Sequence, residues 1–81
     1  MSPKTPRNIS GQDIIKLLKS FGYEVTRQKG NHIRLTIITA NGSHHITVPD
    51  HDPLKLGTLS SILSEVTNHL KVSREELLKN I

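Results

Sequence analysis

YEVTRQKGNHIRLTIITANGSHHITV, residues 23–48, decides the fold, because three alternating apolar runs follow one another here with a turn signal between each pair. Tyr23 and Val25 alternate with Glu24 and Thr26, and Lys29-Gly30-Asn31 makes a turn. Ile33, Leu35 and Ile37 then face one way, while His32, Arg34 and Thr36 face the other. Asn41-Gly42 is a strong hairpin dipeptide, and Ile46 and Val48 form the apolar side of a third strand. A half-buried sheet resists mixing its faces, so the register is constrained. With Asn41-Gly42 as a two-residue turn, Ile37 is expected opposite Ile46, Leu35 opposite Val48 and Thr36 opposite Thr47. In the first hairpin the same requirement selects a three-residue Lys29-Gly30-Asn31 loop, with Tyr23 opposite Ile37 and Val25 opposite Leu35. Extended to the strand ends, this register sets His32 across from His51, where directly opposed Cβ atoms lie about 5 Å apart.

Outward from the meander, the period changes from two to that of a helix. Ser10-Gly-Gln-Asp13 fits a capping box, and Ile14, Leu17, Leu18 and Phe21 make one apolar stripe over a helix at 11–21. Gly22 suits the left-handed residue that closes it. After the polar loop Pro49-Asp50-His51-Asp52-Pro53, a second stripe of Leu59, Ile62, Leu63, Val66 and Leu70 predicts a helix at 57–69. Ser73-Arg-Glu-Glu76 predicts a short third helix with Leu77, Leu78 and Ile81 inward. The two long apolar stripes must cover the apolar face of the sheet. The expected fold is therefore α+β, a two-layer sandwich in the order α-β-β-β-α with a short extra C-terminal helix.

Eighty-one residues make one domain, which buries only about 60% of the unfolded chain's surface and leaves little room for a deep enclosed site. Residues 1–8 read as a flexible tail and 9–81 as the domain. With no cysteine, neither a disulfide nor a thiolate zinc site can staple the fold. No apolar run approaches the length needed to span a bilayer, and the first residues lack a signal peptide's apolar core, so the expected location is cytoplasmic, with no membrane partner. Eleven Lys and Arg against seven Asp and Glu give net charge +4, which favours a polyanionic partner. Phe21 and Tyr23 are the only aromatic residues of the Phe, Tyr and Trp type, so recognition by base stacking is disfavoured.

The polar side of the meander carries the chemistry. His32 follows a glycine turn, Arg34 projects from the same side, and Lys29 comes from the turn itself. RNA cleavage by its own 2′-hydroxyl needs a base for that proton and cations for the phosphorane charge. An imidazole, which ordinarily titrates near neutral pH, and two cations suit those needs. His44 and His45 point to opposite sides of one strand and cannot share a metal without a break in it. His69 is expected to interact favourably with the C-terminus of the second helix.

These segments resemble a known family. Ser10-Gly-Gln-Asp-Ile-Ile-Lys-Leu-Leu-Lys-Ser-Phe-Gly22, Arg27-Gln-Lys-Gly-Asn-His32, Val48-Pro-Asp-His51 and Leu56-Gly-Thr-Leu-Ser-Ser-Ile-Leu63 are similar, in order and spacing, to the successive blocks of HicA (YcfA-like) toxins. The resemblance covers roughly residues 9–66. It implies a double-stranded-RNA-binding-like fold and an mRNA interferase, an endoribonuclease, paired with a HicB-like antitoxin and needing no metal or other cofactor. It further implies His32 as the catalytic histidine, with Gly30, Asn31 and His51 beside Lys29 and Arg34 in the RNA- and phosphate-binding set. Asn31 stands where the family usually has serine, and Asp50 where it commonly has an apolar residue. Two other readings of the same residues are a non-catalytic RNA-binding module and a protein-interaction domain.

Overall fold

The computed structural model describes residues 8–40 and 42–79, so the expected tail, apart from Asn8, and Ile81 lie outside the described residues. The elements are α1 (Gly11–Ser20), β1 (Glu24–Lys29), β2 (His32–Thr39), β3 (Gly42–Pro49), α2 (Leu56–Leu70) and α3 (Arg74–Leu78). The strands form one antiparallel sheet in the order β1-β2-β3. The expected α-β-β-β-α arrangement with a short last helix is the observed one.

Local chemistry explains the boundaries of α1. Ser10 Oγ accepts from the Asp13 N–H at 3.0 Å, and the Asp13 carboxylate accepts from the Ser10 N–H at 3.0 Å, which completes the capping box. That backbone donor is the main reason the Asp13 carboxyl titrates below its ordinary range. At the other end the Tyr23 N–H bonds the Leu18 carbonyl and the Gly22 N–H bonds the Lys19 carbonyl. This paired closure requires a left-handed residue, supplied by Gly22 at φ 107°. In α3 only half of the expected box forms, with Ser73 Oγ accepting from the Glu76 N–H.

The core lies between the helices and one face of the sheet. Ile14, Leu17 and Leu18 of α1, Ile33, Leu35 and Ile37 of β2, Ile46 and Val48 of β3, and Leu59, Ile62, Leu63 and Val66 of α2 are buried, joined by Tyr23, Leu54 and Leu77. α1 and α2 pack on β3. β1 is exposed along its whole length, and Val25, expected inward, is 42% exposed because it belongs to the uncovered edge.

The register differs from expectation in both hairpins. β2 and β3 slide by two residues, pairing Leu35 with Ile46, Ile33 with Val48, Arg34 with Thr47, Thr36 with His45 and Ile37 with His44. A two-residue slide leaves every side chain on its expected face, so apolar alternation alone does not choose between the two registers. The closing pair is Thr39 with Gly42, one step before the expected turn, and Gly42 has φ 106°. In β1 and β2, Val25 does pair with Leu35, but a β-bulge then inserts Thr26. Beyond it Arg27 pairs with Arg34, Gln28 with Ile33 and Lys29 with His32, which shortens the expected three-residue loop to Gly30-Asn31.

Candidate nucleic-acid interface

The bulge sets which cations share a face with His32. Directly paired residues point to the same side of a sheet. Continued without the bulge, the alternation that turns Val25 inward would turn Arg27 and Lys29 inward as well. One inserted residue reverses this, so Lys29 stands beside His32 and Arg27 beside Arg34 on the outer face. Thr26 Oγ1 and Thr36 Oγ1 lie 2.9 Å apart, and Thr26 Oγ1 also donates to the Arg34 carbonyl at 3.4 Å, which holds the bulged residue over the outer face.

His32 is the first residue of β2 and is exposed, between Lys29 on β1 and Pro49 on β3. The turn before it is tight because Gly30 adopts φ 58°, where an L side chain is strained, and nothing lies within 4 Å of where its Cβ would be. The Asn31 carbonyl accepts from the Asp50 N–H at 2.7 Å, which ties this turn to the end of β3. Asn31 thus anchors the turn through its backbone.

His51 does not oppose His32. Pro49 occupies that position, because the two-residue slide carries His51 out of the ladder into the following loop. That loop is fastened to the start of α1. The Gly11 N–H donates to the His51 carbonyl at 2.8 Å, the Leu54 N–H to the Ile9 carbonyl at 2.8 Å, and Gln12 Nε2 to Asp50 Oδ1 at 3.2 Å. Gly11 packs so closely here that a Cβ would collide with the Pro49 carbonyl oxygen. His51 is exposed at the rim, positioned through its backbone. Gly57 and Thr58 fall in the first turn of α2, whose N-cap Lys55 makes no side-chain capping bond.

The remaining histidines divide between the faces. His45 is on the outer face, with Nδ1 2.8 Å from Thr36 Oγ1. His44 turns toward the core side, where Nδ1 lies 2.8 Å from the Tyr23 hydroxyl and the ring stacks on His69 at a centroid distance of 4.7 Å. Desolvation and, second, the neighbouring His69 hold the His44 imidazole below its ordinary pKa, against the opposing pull of Glu65. Burial pushes the Tyr23 phenol up to about 12. His69 sits in the last turn of α2 as expected, but its partners are the His44 ring and Thr39 Oγ1 at 3.2 Å. Among the described residues no group of three or more His, Cys, Asp or Glu side chains converges as a metal site.

Sequence reasoning missed Arg27 as a member of the outer face, because simple alternation assigns it to the other side. His45 it had placed on the face of His32, where the structure has it.

The sequence model of the family described as the HicA toxin of bacterial toxin–antitoxin systems matches residues 11–67, from the first residue of α1 to the last third of α2. The chain belongs to the HicA toxin family. Comparison with curated proteins and with solved structures returned no match. As a HicA-family chain it has the role of a toxin, with an antitoxin as partner. None of its described helices is long and apolar enough to cross a membrane.

Proposed function

We propose that this HicA-family toxin is an mRNA interferase, an endoribonuclease acting in the cytoplasm, in which His32 transfers the proton and a HicB-like antitoxin neutralises the activity. The observation that carries this reading is the grouping on one open face of an exposed histidine with two cations, Lys29 directly beside it and Arg34 two rungs along.

In the reaction, the ribose 2′-hydroxyl attacks the adjacent phosphorus while His32 takes its proton. Charge develops on the phosphorane oxygens, where the Lys29 ammonium and the Arg34 guanidinium stabilise it. The bond to the 5′-oxygen then breaks and that oxygen takes up a proton, which leaves a 2′,3′-cyclic phosphate and a free 5′-hydroxyl. Asn31 and Gly30 form the turn that sets the position of His32, and exposed His51 lies at the rim as a further phosphate contact. In-line attack needs a flexible backbone, so the open face suits single-stranded RNA.

The test is induction of wild type and His32→Ala in a bacterial host, with growth and RNA integrity followed together, alongside cleavage by the purified proteins. Loss of a general base lowers the rate about 10²- to 10⁴-fold. Equal cleavage by wild type and His32→Ala overturns the catalytic assignment. RNA binding by a wild type that does not cleave marks the chain as a non-catalytic RNA-binding module.

A further inference from the structure

We propose that the depression on the outer face between Arg27 and His45 is a second phosphate-binding subsite, holding the same RNA strand a few nucleotides away from the phosphate at His32. The proposal rests on the endoribonuclease reading and extends it to the length of RNA engaged. The depression has a volume of about 360 Å³ and is lined by Thr26, Arg27, Arg34, Thr36 and His45, with no carboxylate among them.

Arg27 and Arg34 are direct cross-strand partners, so their Cβ atoms lie about 5 Å apart. Like charges in such a pair repel and weaken the sheet. Neither guanidinium has a carboxylate partner among the described residues. Arg34 borders both sites, so a phosphate held by Arg27 relieves the repulsion, and a guanidinium fork matches phosphate oxygens two at a time. The bulge at Thr26 is what turns both groups to this side.

His45 completes the subsite through a row of hydroxyls running across the three strands. Its Nδ1 meets Thr36 Oγ1 at 2.8 Å, Thr36 Oγ1 meets Thr26 Oγ1 at 2.9 Å, and Thr26 reaches the Arg34 carbonyl. With Thr26 donating to the Arg34 carbonyl, Thr36 donates to Thr26 and the Nδ1–H of His45 donates to Thr36, so the row holds the ring in place. Nε2 has no partner among the described residues, and in the protonated ring it donates to a phosphate oxygen.

The subsite begins at Arg27, two rungs from His32, and reaches to His45. The His45 rung is at Thr36, four residues along β2 from His32, or about 13 Å at about 3.3 Å per residue. That is roughly four stacked nucleotide steps of about 3.4 Å, and fewer for a strand drawn out along the sheet. His45 is therefore a binding residue for a neighbouring phosphate, and Thr36 positions it. Glu24, paired with Thr36 on the β1 side, brings negative charge that ends the track there.

The test compares cleavage of an RNA dinucleotide with cleavage of an RNA decamer by the purified full chain. In His45→Ala and Arg27→Gln the ratio of decamer to dinucleotide kcat/KM is expected to fall about tenfold, through KM, as befits a lost charge-assisted contact. His45→Gln and thermal melting of each variant exclude a folding defect, and Thr36→Ser is expected to keep the ratio while Thr36→Val loses it. Arg27→Gln is also expected to lower the salt slope of decamer binding by about 0.7, the value for one phosphate contact on a single strand. An unchanged ratio and slope in folded His45→Ala and Arg27→Gln overturns the subsite. If the wild type cleaves neither RNA, the endoribonuclease reading fails, and decamer affinity decides separately: weaker binding by His45→Ala retains the subsite, and equal binding removes it.

Discussion

His44 and His45 are neighbours in β3, yet one belongs to the packing of the fold and the other to its open surface. The His44 ring lies against His69 and the Tyr23 hydroxyl at the seam between the sheet and α2, and burial disfavours its charged form. The His45 ring lies on the outer face, bonded to Thr36 and exposed. The same side chain thus serves cohesion on one face and stands open to solvent on the other. The pleat alone makes the difference, because successive strand residues point to opposite sides.

If this division by face is right, substitutions on the two sides have different readouts. The largest contrast is between neighbours in β2. Leu35→Ala removes a fully buried side chain and is expected to cost about 2–5 kcal/mol. That is a large share of the roughly 5–15 kcal/mol that holds a domain together. Arg34→Ala, on the outer face, is expected to stay within about 0.5 kcal/mol of wild type in stability. Urea denaturation of the two variants checks this, and equal losses would break the comparison.

A smaller effect is expected at the seam. Tyr23→Phe keeps the packed ring but takes the hydroxyl away from His44 Nδ1, at a cost of about 1 kcal/mol. An NMR titration of His44 in the same variant sharpens the result. An unmoved His44 titration would mean that the hydroxyl does not hold the ring's protonation state.

The smallest effect is in pH. The folded pKa of His44 is below its ordinary value of 6.5, so the folded chain binds fewer protons there than the unfolded chain does. Its contribution to stability is present above pH 6.5 and is lost as the pH falls toward the lowered folded value. Urea midpoints measured from pH 7.5 downward are expected to decline through that window, and a His44→Gln variant is expected to decline less. Tyr23 acts at the other extreme. Its phenol is raised to about 12, so its contribution is full below pH 10 and is lost as the pH rises from 10 toward 12.

Much of the molecule was legible in its residues because the governing interactions are local. Ser10 and Asp13 cap α1 across three residues, Gly22 closes it, and the apolar stripes name the buried positions. The place of the turn before His32 was legible for the same reason, but its length was not, because the bulge brings Lys29 into the ladder. The pairing of His32 with His51 was not, since a two-residue slide preserves every face and so leaves no trace in the alternation. Arg27 was hidden by the bulge, which inverts the alternation within one strand.

By itself the sequence determined the element order, the inward and outward faces of β2 and β3, the helix ends and the family, because short-range hydrogen bonds and periodic burial are written in neighbouring residues. Only the tertiary structure decided which residues meet across those faces. The choice between registers two residues apart, the bulge at Thr26 and the docking of His69 on His44 depend on contacts between distant segments. The group around His32 therefore contains Lys29, Arg34 and Arg27, with Pro49 where the alternation had suggested His51.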